Sequence, residues 1–158
     1  DLSEETPVQF IPFLGILVSA KMVERIGLPD AGFFLAVDDV EYCMRARRTG
    51  ANVVLVGRSL VKHPASERYG ISLFGRRFCS LRMAPWKRYY DVRNRLFVAR
   101  SYYGHRFWYG TIPASFLRLF LTLLNEDERI QQIRAFFGGM VDGLLVRKGR
   151  RHQLWGIE

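Results

Sequence analysis

The spacing of apolar positions changes near residue 64 and divides the chain into two parts with different periodicity. In the first part, short apolar runs are separated by Gly and Pro, which is typical of short strands and helices joined by turns. Ser19 is suited to cap a helix, and Gly27 followed by Leu28-Pro29 prevents that helix from continuing. The pattern predicts helices over Ala20–Ile26 and 40–48, and strands over 14–18, 52–56 and 59–63.

From residue 85 onward, apolar residues recur three and four positions apart, which indicates helices. Pro85 is suited to the first turn of a helix that runs to about Tyr103, and Pro113 to the first turn of one that runs to about Leu124. Acidic residues over 126–128 favour the start of a third helix over 130–146. Residues 65–84 show weak periodicity, and we predict a mobile basic loop there.

The order of these elements predicts an α/β fold over residues 1–84, followed by an all-helical region over residues 85–158. Only about three strands are recognisable in the sequence, which makes a thin sheet for an α/β domain. The chain also begins without an initiator Met. We therefore expect the remaining strands of a mixed sheet to precede this segment in a longer protein.

Composition excludes several classes of protein. Of the 158 residues, 49 % are apolar and 14 % are aromatic, which is inconsistent with a disordered chain. The two cysteines, Cys43 and Cys79, cannot form a disulfide framework or a cysteine-based zinc site, so we expect a reducing, cytoplasmic setting. The most apolar stretch, 112–124, contains Arg118 and is shorter than the ~20 residues that a membrane-spanning helix needs.

Basic residues are concentrated in the second part of the chain. The formal net charge is +9, and residues 76–106 contain nine Lys or Arg side chains against Asp91 alone, with aromatic residues between them. This pattern predicts an anionic partner, such as phosphate on a small molecule, an anionic lipid surface or nucleic acid. A solvated basic surface without a partner is the alternative. We expect Arg88, Arg93 and Arg95 to form the anionic-partner patch.

Three acidic residues, Asp38, Asp39 and Glu41, fall within four positions directly after an apolar run. Like charges this close need a metal ion, a helix N-terminus or a cation such as Arg45 to offset their repulsion. In one interpretation, Asp38 caps the following helix and the other two carboxylates only favour its positive end. In the other, one carboxylate lies at the end of a strand and acts as a general base.

His63 follows a β-branched run and precedes Pro64. A structural role is one interpretation of a single histidine. If His63 returns to the same sheet edge as Asp39, the imidazole and the carboxylates together suit a divalent metal ion.

These features, in their order along the chain, resemble a known family. Residues 13–104 resemble the C-terminal half of an inverting GT-A glycosyltransferase of family 2, in the branch of the bacterial rhamnosyltransferases and galactofuranosyltransferases. The resemblance rests mainly on the Asp-Asp-x-Glu-Tyr-x-x-Arg run over 38–45, with Gly27-Leu28-Pro29 ahead of it. It is supported by Val61-Lys62-His63, by the Tyr-Tyr-x-x-Arg-Asn run over 89–94 and, less distinctively, by the run over 136–143.

The resemblance implies a role for each matched residue. Asp39 would be the catalytic base that takes the proton of an acceptor hydroxyl while that oxygen attacks the anomeric carbon. Asp38 would orient the acceptor, with Glu41 and Arg45 beside it, although Arg45 is equally explained as a structural partner of the acidic cluster or as a solvated helix charge. His63 would complete the coordination of a divalent metal, Mg²⁺ or Mn²⁺, that holds the donor diphosphate.

The resemblance also implies what lies outside these residues. The family's nucleotide-binding half, with its Asp-x-Asp metal motif, precedes the matched region, and no Asp-x-Asp occurs in this sequence. Residues 1–84 would then be the acceptor-side part of a GT-A domain whose donor-binding half lies upstream. We expect a nucleotide-diphosphate sugar and a saccharide or lipid-linked saccharide as substrates of the intact enzyme, and no activity from this segment alone.

Alternatives remain for the second half of the chain. The helical region would lie on the inner leaflet of the membrane as a peripheral element, or it would simply pack against the catalytic core. A basic, aromatic module over 76–108 that binds nucleic acid without catalysis does not explain the acidic cluster, so we regard it as the weaker hypothesis. A third hypothesis is a non-catalytic interaction domain that forms homo-oligomers through an exposed sheet edge, and such association is compatible with the glycosyltransferase function.

Overall fold

The computed structural model describes residues 5–73 and 75–157. The chain forms two compact units. The first contains the described residues up to Ala31 together with Val37–Pro64, and the second contains Gly32–Ala36 together with residues 65–157. Five helices and two small antiparallel sheets are present in the described part of the chain, which agrees with the predicted α/β class at that coarse level.

The first unit has two helices and one strand pair. Helix α1 (Ala20–Ile26) begins where Ser19 Oγ accepts a hydrogen bond from the Met22 amide at 3.2 Å, and it ends at Gly27, as the sequence predicts. Helix α2 spans Asp38–Arg48 and buries one face against this unit. Strand β1 (Glu5–Pro7) pairs antiparallel with strand β2 (Val54–Val56), so the strand predicted over 52–56 is confirmed in part.

The strands predicted over 14–18 and 59–63 are wrong. Both segments lack regular secondary structure, and Leu17 and Leu60 are 97 % and 88 % exposed. A strand is stable only when a neighbour satisfies its backbone hydrogen bonds, and neither segment has a paired strand among the described residues. Val61 instead lies against Gly15, where an added Cβ would come within 3.1 Å of the Val61 side chain.

The second unit contains a β-hairpin where the sequence predicted a loop. Strand β3 (Arg68–Leu73) pairs antiparallel with strand β4 (Arg76–Leu81), with Arg68 opposite Leu81. Gly75 in the turn has a φ of 69°, which only glycine adopts at little cost. The prediction of a mobile loop over 65–84 is therefore wrong for the residues of this hairpin.

Three helices complete the second unit, and all three were predicted within about two residues at each end. They are α3 (Pro85–Tyr102), α4 (Ile112–Asn125) and α5 (Arg129–Leu144). A single π-helical turn over Phe107–Thr111 precedes α4, and a 3₁₀ turn over His152–Trp155 follows α5. Helix α3 is the centre of the unit, because nearly every side chain between Arg88 and Ala99 is buried.

Two glycines allow α3 and α5 to pack closely. A Cβ at Gly139 would lie 2.6 Å from the carbonyl oxygen of Tyr89 and 3.0 Å from the Val92 Cβ. A Cβ at Gly143, one turn later, would lie 2.7 Å from a methyl group of Leu96. Since backbone atoms cannot move aside as a flexible side chain can, the sequence of α5 requires glycine at position 139.

Gly139→Ala is expected to lower the free energy of unfolding by about 1–3 kcal/mol, because overpacking forces the helices apart. Gly110→Ala is the matched control, since nothing lies within 4 Å of a Cβ at Gly110. Chemical denaturation of the two variants and the wild type measures the difference. Equal stabilities of the two variants would contradict the close packing of α3 and α5.

The region Phe107–Asn125 forms a continuous helical stretch of 19 residues, within which an 18-residue window has a mean hydropathy of 1.3. By length and composition alone, this stretch could cross a membrane. The prediction that it is too short to do so is therefore wrong. The same length and composition are also found in core helices of soluble proteins. In this structure 22 % of the residues in that window are buried.

Candidate functional site

The acidic cluster lies at the start of α2, directly after a strained backbone segment. Phe34, Ala36 and Val37 all have positive φ angles, of 62°, 64° and 67°. Left-handed backbone is unusual for any residue with a side chain and is rarest for a β-branched one such as Val37. Each such residue costs of order 1–3 kcal/mol, and strain of this kind is concentrated at functional sites. The segment before Asp38 is therefore held in an energetically unfavourable conformation by its surroundings.

The first turn of α2 contains the three carboxylates at its positive end. Asp38 is the first residue of the helix, and the helix-capping position is occupied by Val37, whose side chain makes no capping hydrogen bond. The interpretation of Asp38 as the helix cap is therefore wrong. Asp39 Oδ1 accepts a hydrogen bond from the Val40 amide at 2.7 Å. Negatively charged side chains interact favourably with the positive end of a helix dipole.

Glu41 and Arg45 form a bidentate ion pair one turn apart. Arg45 Nε donates to Glu41 Oε1 at 3.1 Å, and Arg45 Nη2 donates to Glu41 Oε2 at 2.8 Å. The same guanidinium donates to the carbonyls of Ile26, at 2.5 Å, and Leu28, at 3.2 Å. This geometry supports Arg45 as a structural partner of the acidic cluster that joins the end of α1 to α2.

The buried face of α2, which contains Tyr42 and Cys43, anchors the helix that begins with the acidic cluster. Tyr42 Oη donates to the Gly27 carbonyl at 3.1 Å, and the Phe13 ring packs edge-on against Tyr42. Burial raises the pKa of the Cys43 thiol, and the nearby Asp39 carboxylate adds to this effect against the opposing influence of a hydrogen bond to Ile11. Cys43 is therefore a protonated core residue at neutral pH.

His63 lies in an exposed segment. Its Nδ1 is 2.8 Å from the Pro64 carbonyl, so this nitrogen is engaged by its own backbone neighbour when it carries the proton. Within residues 5–73 and 75–157, no group of three His, Cys, Asp or Glu side chains is arranged to hold a metal ion. The described residues therefore do not provide a complete metal site around His63.

The predicted anionic-partner patch is not a surface patch. Arg93 is fully buried and donates to the carbonyls of Gly149 at 2.5 Å and Phe33 at 2.8 Å. Burial lowers the pKa of its guanidinium. Arg88 is 4 % exposed and forms an ion pair with Glu126 at 2.5 Å. The prediction that Arg88 and Arg93 form part of a surface patch is therefore wrong.

Arg95 is the more exposed member of the predicted patch. It is half-buried, and its Nε donates to Asp91 Oδ1 at 2.9 Å, one turn earlier on α3. The side chain of Arg95 is 40 % exposed, so it is the one of these three arginines that reaches solvent.

Asn94 is a site-supporting residue that the sequence analysis quoted in a motif but did not assign. It is fully buried, and its Nδ2 donates to the carbonyls of Phe33, Leu35 and Ala36 at 3.0, 2.7 and 2.8 Å. Asn94 and Arg93 therefore donate hydrogen bonds to the backbone carbonyls of the segment that ends at Ala36, directly before Val37. The adjacent Arg and Asn of the Tyr-Tyr-x-x-Arg-Asn run were the signal that could have identified this pair.

Asp142 on α5 is a second buried polar group that the sequence analysis missed. It accepts hydrogen bonds from Tyr89 at 2.5 Å, Trp155 at 3.0 Å and Arg151 at 3.2 Å. Burial alone would raise the pKa of Asp142, but these hydrogen bonds and the Arg151 charge outweigh burial and hold the pKa below its usual value. The network fastens the carboxyl-terminal segment, which includes the Gly149 carbonyl that receives Arg93.

The sequence is similar to that of a curated protein, the low-salt glycan biosynthesis hexosyltransferase Agl10 of Haloferax volcanii. The two are 23 % identical over 144 residues, which is 88 % of this chain and 43 % of the relative, so the chain spans less than half the length of this relative. No family model matches the chain, and no solved structure matches it. The similarity supports a distant, glycosyltransferase-like relationship over most of the chain.

Proposed function

We propose that this chain is the acceptor-side part of a glycosyltransferase that moves a sugar from a nucleotide-diphosphate donor to a saccharide or lipid-linked saccharide acceptor. The observation that carries the proposal is the acidic pair, Asp38 and Asp39, in the first turn of α2 after the strained segment. The similarity to a hexosyltransferase over most of the chain supports the same class of reaction. Residues 1–84 belong to the GT-A domain in this proposal, and 85–158 form its helical extension.

The chemistry proposed for the pair is a single displacement with inversion. Asp39 accepts the proton of the acceptor hydroxyl as the hydroxyl oxygen forms a bond to the anomeric carbon. The bond from that carbon to the donor's phosphate oxygen breaks at the same time, and the nucleotide diphosphate leaves with the electron pair. Asp38 orients the acceptor, whereas Glu41 and Arg45 hold α2 in place. A general base in this role contributes roughly 10²–10⁴-fold to the rate.

A divalent metal, Mg²⁺ or Mn²⁺, would neutralise charge on the leaving diphosphate, and His63 is the residue proposed to reach it. The described residues alone do not fit such an ion, because they form no three-ligand group. In this proposal, further ligands come from a donor-binding half that precedes the chain in the intact enzyme. The step assigned to Asp39 does not depend on the metal.

The finer assignments are also proposals. The sugar is rhamnose or galactofuranose-like, as the family resemblance implies, and the protein acts in the cytoplasm at the inner face of the membrane. The exposed apolar side chains of α4, such as Phe116, Phe120 and Leu124, support a peripheral membrane contact. Association into homo-oligomers is compatible with this function.

The decisive experiment measures sugar transfer by the full-length gene product that contains this chain. Nucleotide-diphosphate donors of rhamnose and galactofuranose are offered with saccharide and lipid-linked acceptors, and release of the nucleotide diphosphate is followed. NMR of the product is expected to give the inverted anomeric configuration. Retention of configuration would contradict Asp39 as the base of a single displacement, and no release with any donor would contradict a transferase.

His63→Ala is expected to weaken the metal-dependent part of donor binding by about tenfold, the effect of losing one ligand or its support. His105→Ala is the matched control, because His105 is an exposed histidine in the second unit. Titration of Mg²⁺ and Mn²⁺ at fixed donor concentration, by calorimetry, measures the difference. Identical metal dependence in both variants would exclude His63 from the site.

A binding function without catalysis is the second candidate. It rested on an arginine patch, and two of the three arginines assigned to that patch are buried against protein groups. Arg88 and Arg95 do line a cavity in the second unit, and binding of an anion there is the form of this hypothesis that the structure favours.

A further inference from the structure

A cavity of about 310 Å³ opens in the second unit between the β3–β4 hairpin and helices α3 and α4. This volume lies at the lower end of the range typical of small-ligand sites, which begins at roughly 300 Å³. The cavity contains residues from four different elements, so the fold of this unit builds it. Its lining is formed by Arg68, Cys79, Ser80, Leu81, Met83, Arg88, Asp91, Arg95 and Arg118.

Positive charge dominates this lining. Four of the nine lining residues are arginines and one, Asp91, is acidic. Asp91 pairs with Arg95, and Arg88 pairs with Glu126, which is not among the lining residues. Among the described residues, no carboxylate forms an ion pair with Arg118. The cavity therefore holds more positive charge than the surrounding carboxylates neutralise.

Arg88 provides a second observation, because one of its hydrogen-bond donors has no acceptor among the described residues. Its side chain is 4 % exposed, and its Nε has no hydrogen-bond partner among the described residues. A buried donor left unsatisfied costs about 1–3 kcal/mol, and buried polar atoms in folded proteins nearly always have a partner. Arg88 also lines the cavity, so an oxygen-rich ligand there would lie beside a guanidinium whose donors are incompletely satisfied.

The electrostatic environment of Arg118 disfavours its charged form. Burial lowers the pKa of its guanidinium, and the neighbouring Arg95 lowers it further, with a smaller contribution from Arg88. Asp91 opposes these effects only in part. A bound anion would reverse the unfavourable contribution, because opposite charge favours the protonated guanidinium.

We propose that the cavity lined by Arg68, Arg88, Arg95 and Arg118 binds the phosphate or diphosphate group of a ligand. Guanidinium groups present several donors in a plane and bind phosphate oxygens in pairs, so convergent arginines match the shape and the charge of this group. The residues that line the cavity all belong to the second unit, and neither Asp38 nor Asp39 is among them. Failure of this proposal would leave the proposed transferase function untouched.

The phosphate group has two sources that the structure makes reasonable. It belongs either to a free, water-soluble phosphate ester or to a lipid headgroup. Arg118 lies on α4, and the same helix exposes Phe116, Phe120 and Leu124 at four-residue spacing. An apolar stripe on the helix that contributes to an anion site suits a phosphorylated lipid, whose chains would lie along the stripe.

The test uses two probes on the full-length protein at constant ionic strength, which fixes the screening of charges. Inorganic pyrophosphate is titrated by calorimetry, and phosphatidylcholine vesicles with and without phosphatidic acid are tested by co-sedimentation. Arg118→Gln removes the unpaired charge of the cavity, and Arg68→Gln removes an exposed one at its rim. Arg129→Gln, an exposed arginine at the start of α5, is the matched control.

Arg118→Gln and Arg68→Gln are expected to weaken binding of at least one probe by about 10- to 100-fold, the effect of losing a charge-assisted hydrogen bond. Arg129→Gln is expected to leave it unchanged. If the cavity variants lose pyrophosphate binding, the ligand is a free phosphate ester. If they lose binding to vesicles that contain phosphatidic acid, the ligand is a lipid. Either result supports the site. Thermal unfolding checks that the variants fold. If Arg118→Gln does not fold, the binding measurements on Arg68→Gln test the site.

Two results would overturn the proposal. The first is a wild-type protein that binds neither pyrophosphate nor vesicles containing phosphatidic acid. The second is a loss of affinity in Arg129→Gln as large as in the two cavity variants, because binding would then depend on overall charge rather than on this cavity.

Discussion

Asp39→Asn is expected to lower the rate of sugar transfer by the full-length protein by about 10²–10⁴-fold, the usual contribution of a general base. The amide has nearly the same shape as the carboxylate, and its oxygen can still accept the hydrogen bond from the Val40 amide, so α2 is expected to keep its start. An amide cannot accept the proton of the acceptor hydroxyl at neutral pH. Steady-state kinetics with the best donor and acceptor pair measures the loss.

The controls for this variant separate chemistry from folding. Asp127→Asn removes an exposed carboxylate in the turn before α5 and is expected to leave transfer unchanged. Donor affinity of Asp39→Asn, measured by calorimetry, is expected to stay near the wild-type value, because the proposed base contacts the acceptor. Transfer by Asp39→Asn at a near wild-type rate would refute the assignment of the base.

Asn94→Ala is expected to have the largest effect on stability among the substitutions considered. The carbonyls of Leu35 and Ala36 would lose the hydrogen bonds that Asn94 donates, whereas the Phe33 carbonyl keeps those from Arg93 and the Leu35 amide. Losing these two hydrogen bonds to partly buried acceptors lowers the free energy of unfolding by about 2–4 kcal/mol. Chemical denaturation measures this loss.

The same variant also tests whether Asn94 positions the site. The segment that Asn94 holds contains two of the three left-handed residues before α2, and without these hydrogen bonds the strained conformation would relax. Under conditions where the variant is folded, kcat for transfer is expected to fall while the KM for the donor changes little. Asn52→Ala, an exposed asparagine, is the control and is expected to change stability by less than about 0.5 kcal/mol. Wild-type kcat in folded Asn94→Ala would mean that Asn94 is only structural.

The buried polar groups of the second unit explain why the charge pattern was misinterpreted. A run of arginines among aromatic residues has the composition of a surface that binds anions. In the folded chain, Arg88 reaches Glu126, 38 residues away, and Arg93 reaches the Gly149 carbonyl, 56 residues away. Partners this distant along the chain determine whether an arginine is buried, and local composition does not include them.

The strands show the same limitation. The hairpin was missed because alternation is clear only in β3, whereas β4 has two arginines side by side, Arg76 and Arg77, followed by two apolar residues. Segments 14–18 and 59–63 have strand composition but no partner strand in the described part of the chain. A strand forms only through hydrogen bonds to a neighbour, so strand composition indicates a candidate rather than an element.

The sequence by itself determined the five helices to within about two residues, because Ser19, Gly27, Pro85 and Pro113 act on their own neighbourhood through capping and backbone restriction. It also indicated that the three carboxylates lie at or just before the start of α2, which in the structure begins at Asp38. Only the tertiary structure decided that Arg93 and Asn94 hold the strained segment before α2, and that Arg88, Arg95 and Arg118 line one cavity with Arg68. These outcomes depend on burial and on contacts between distant segments, and such contacts exist only once the chain has folded.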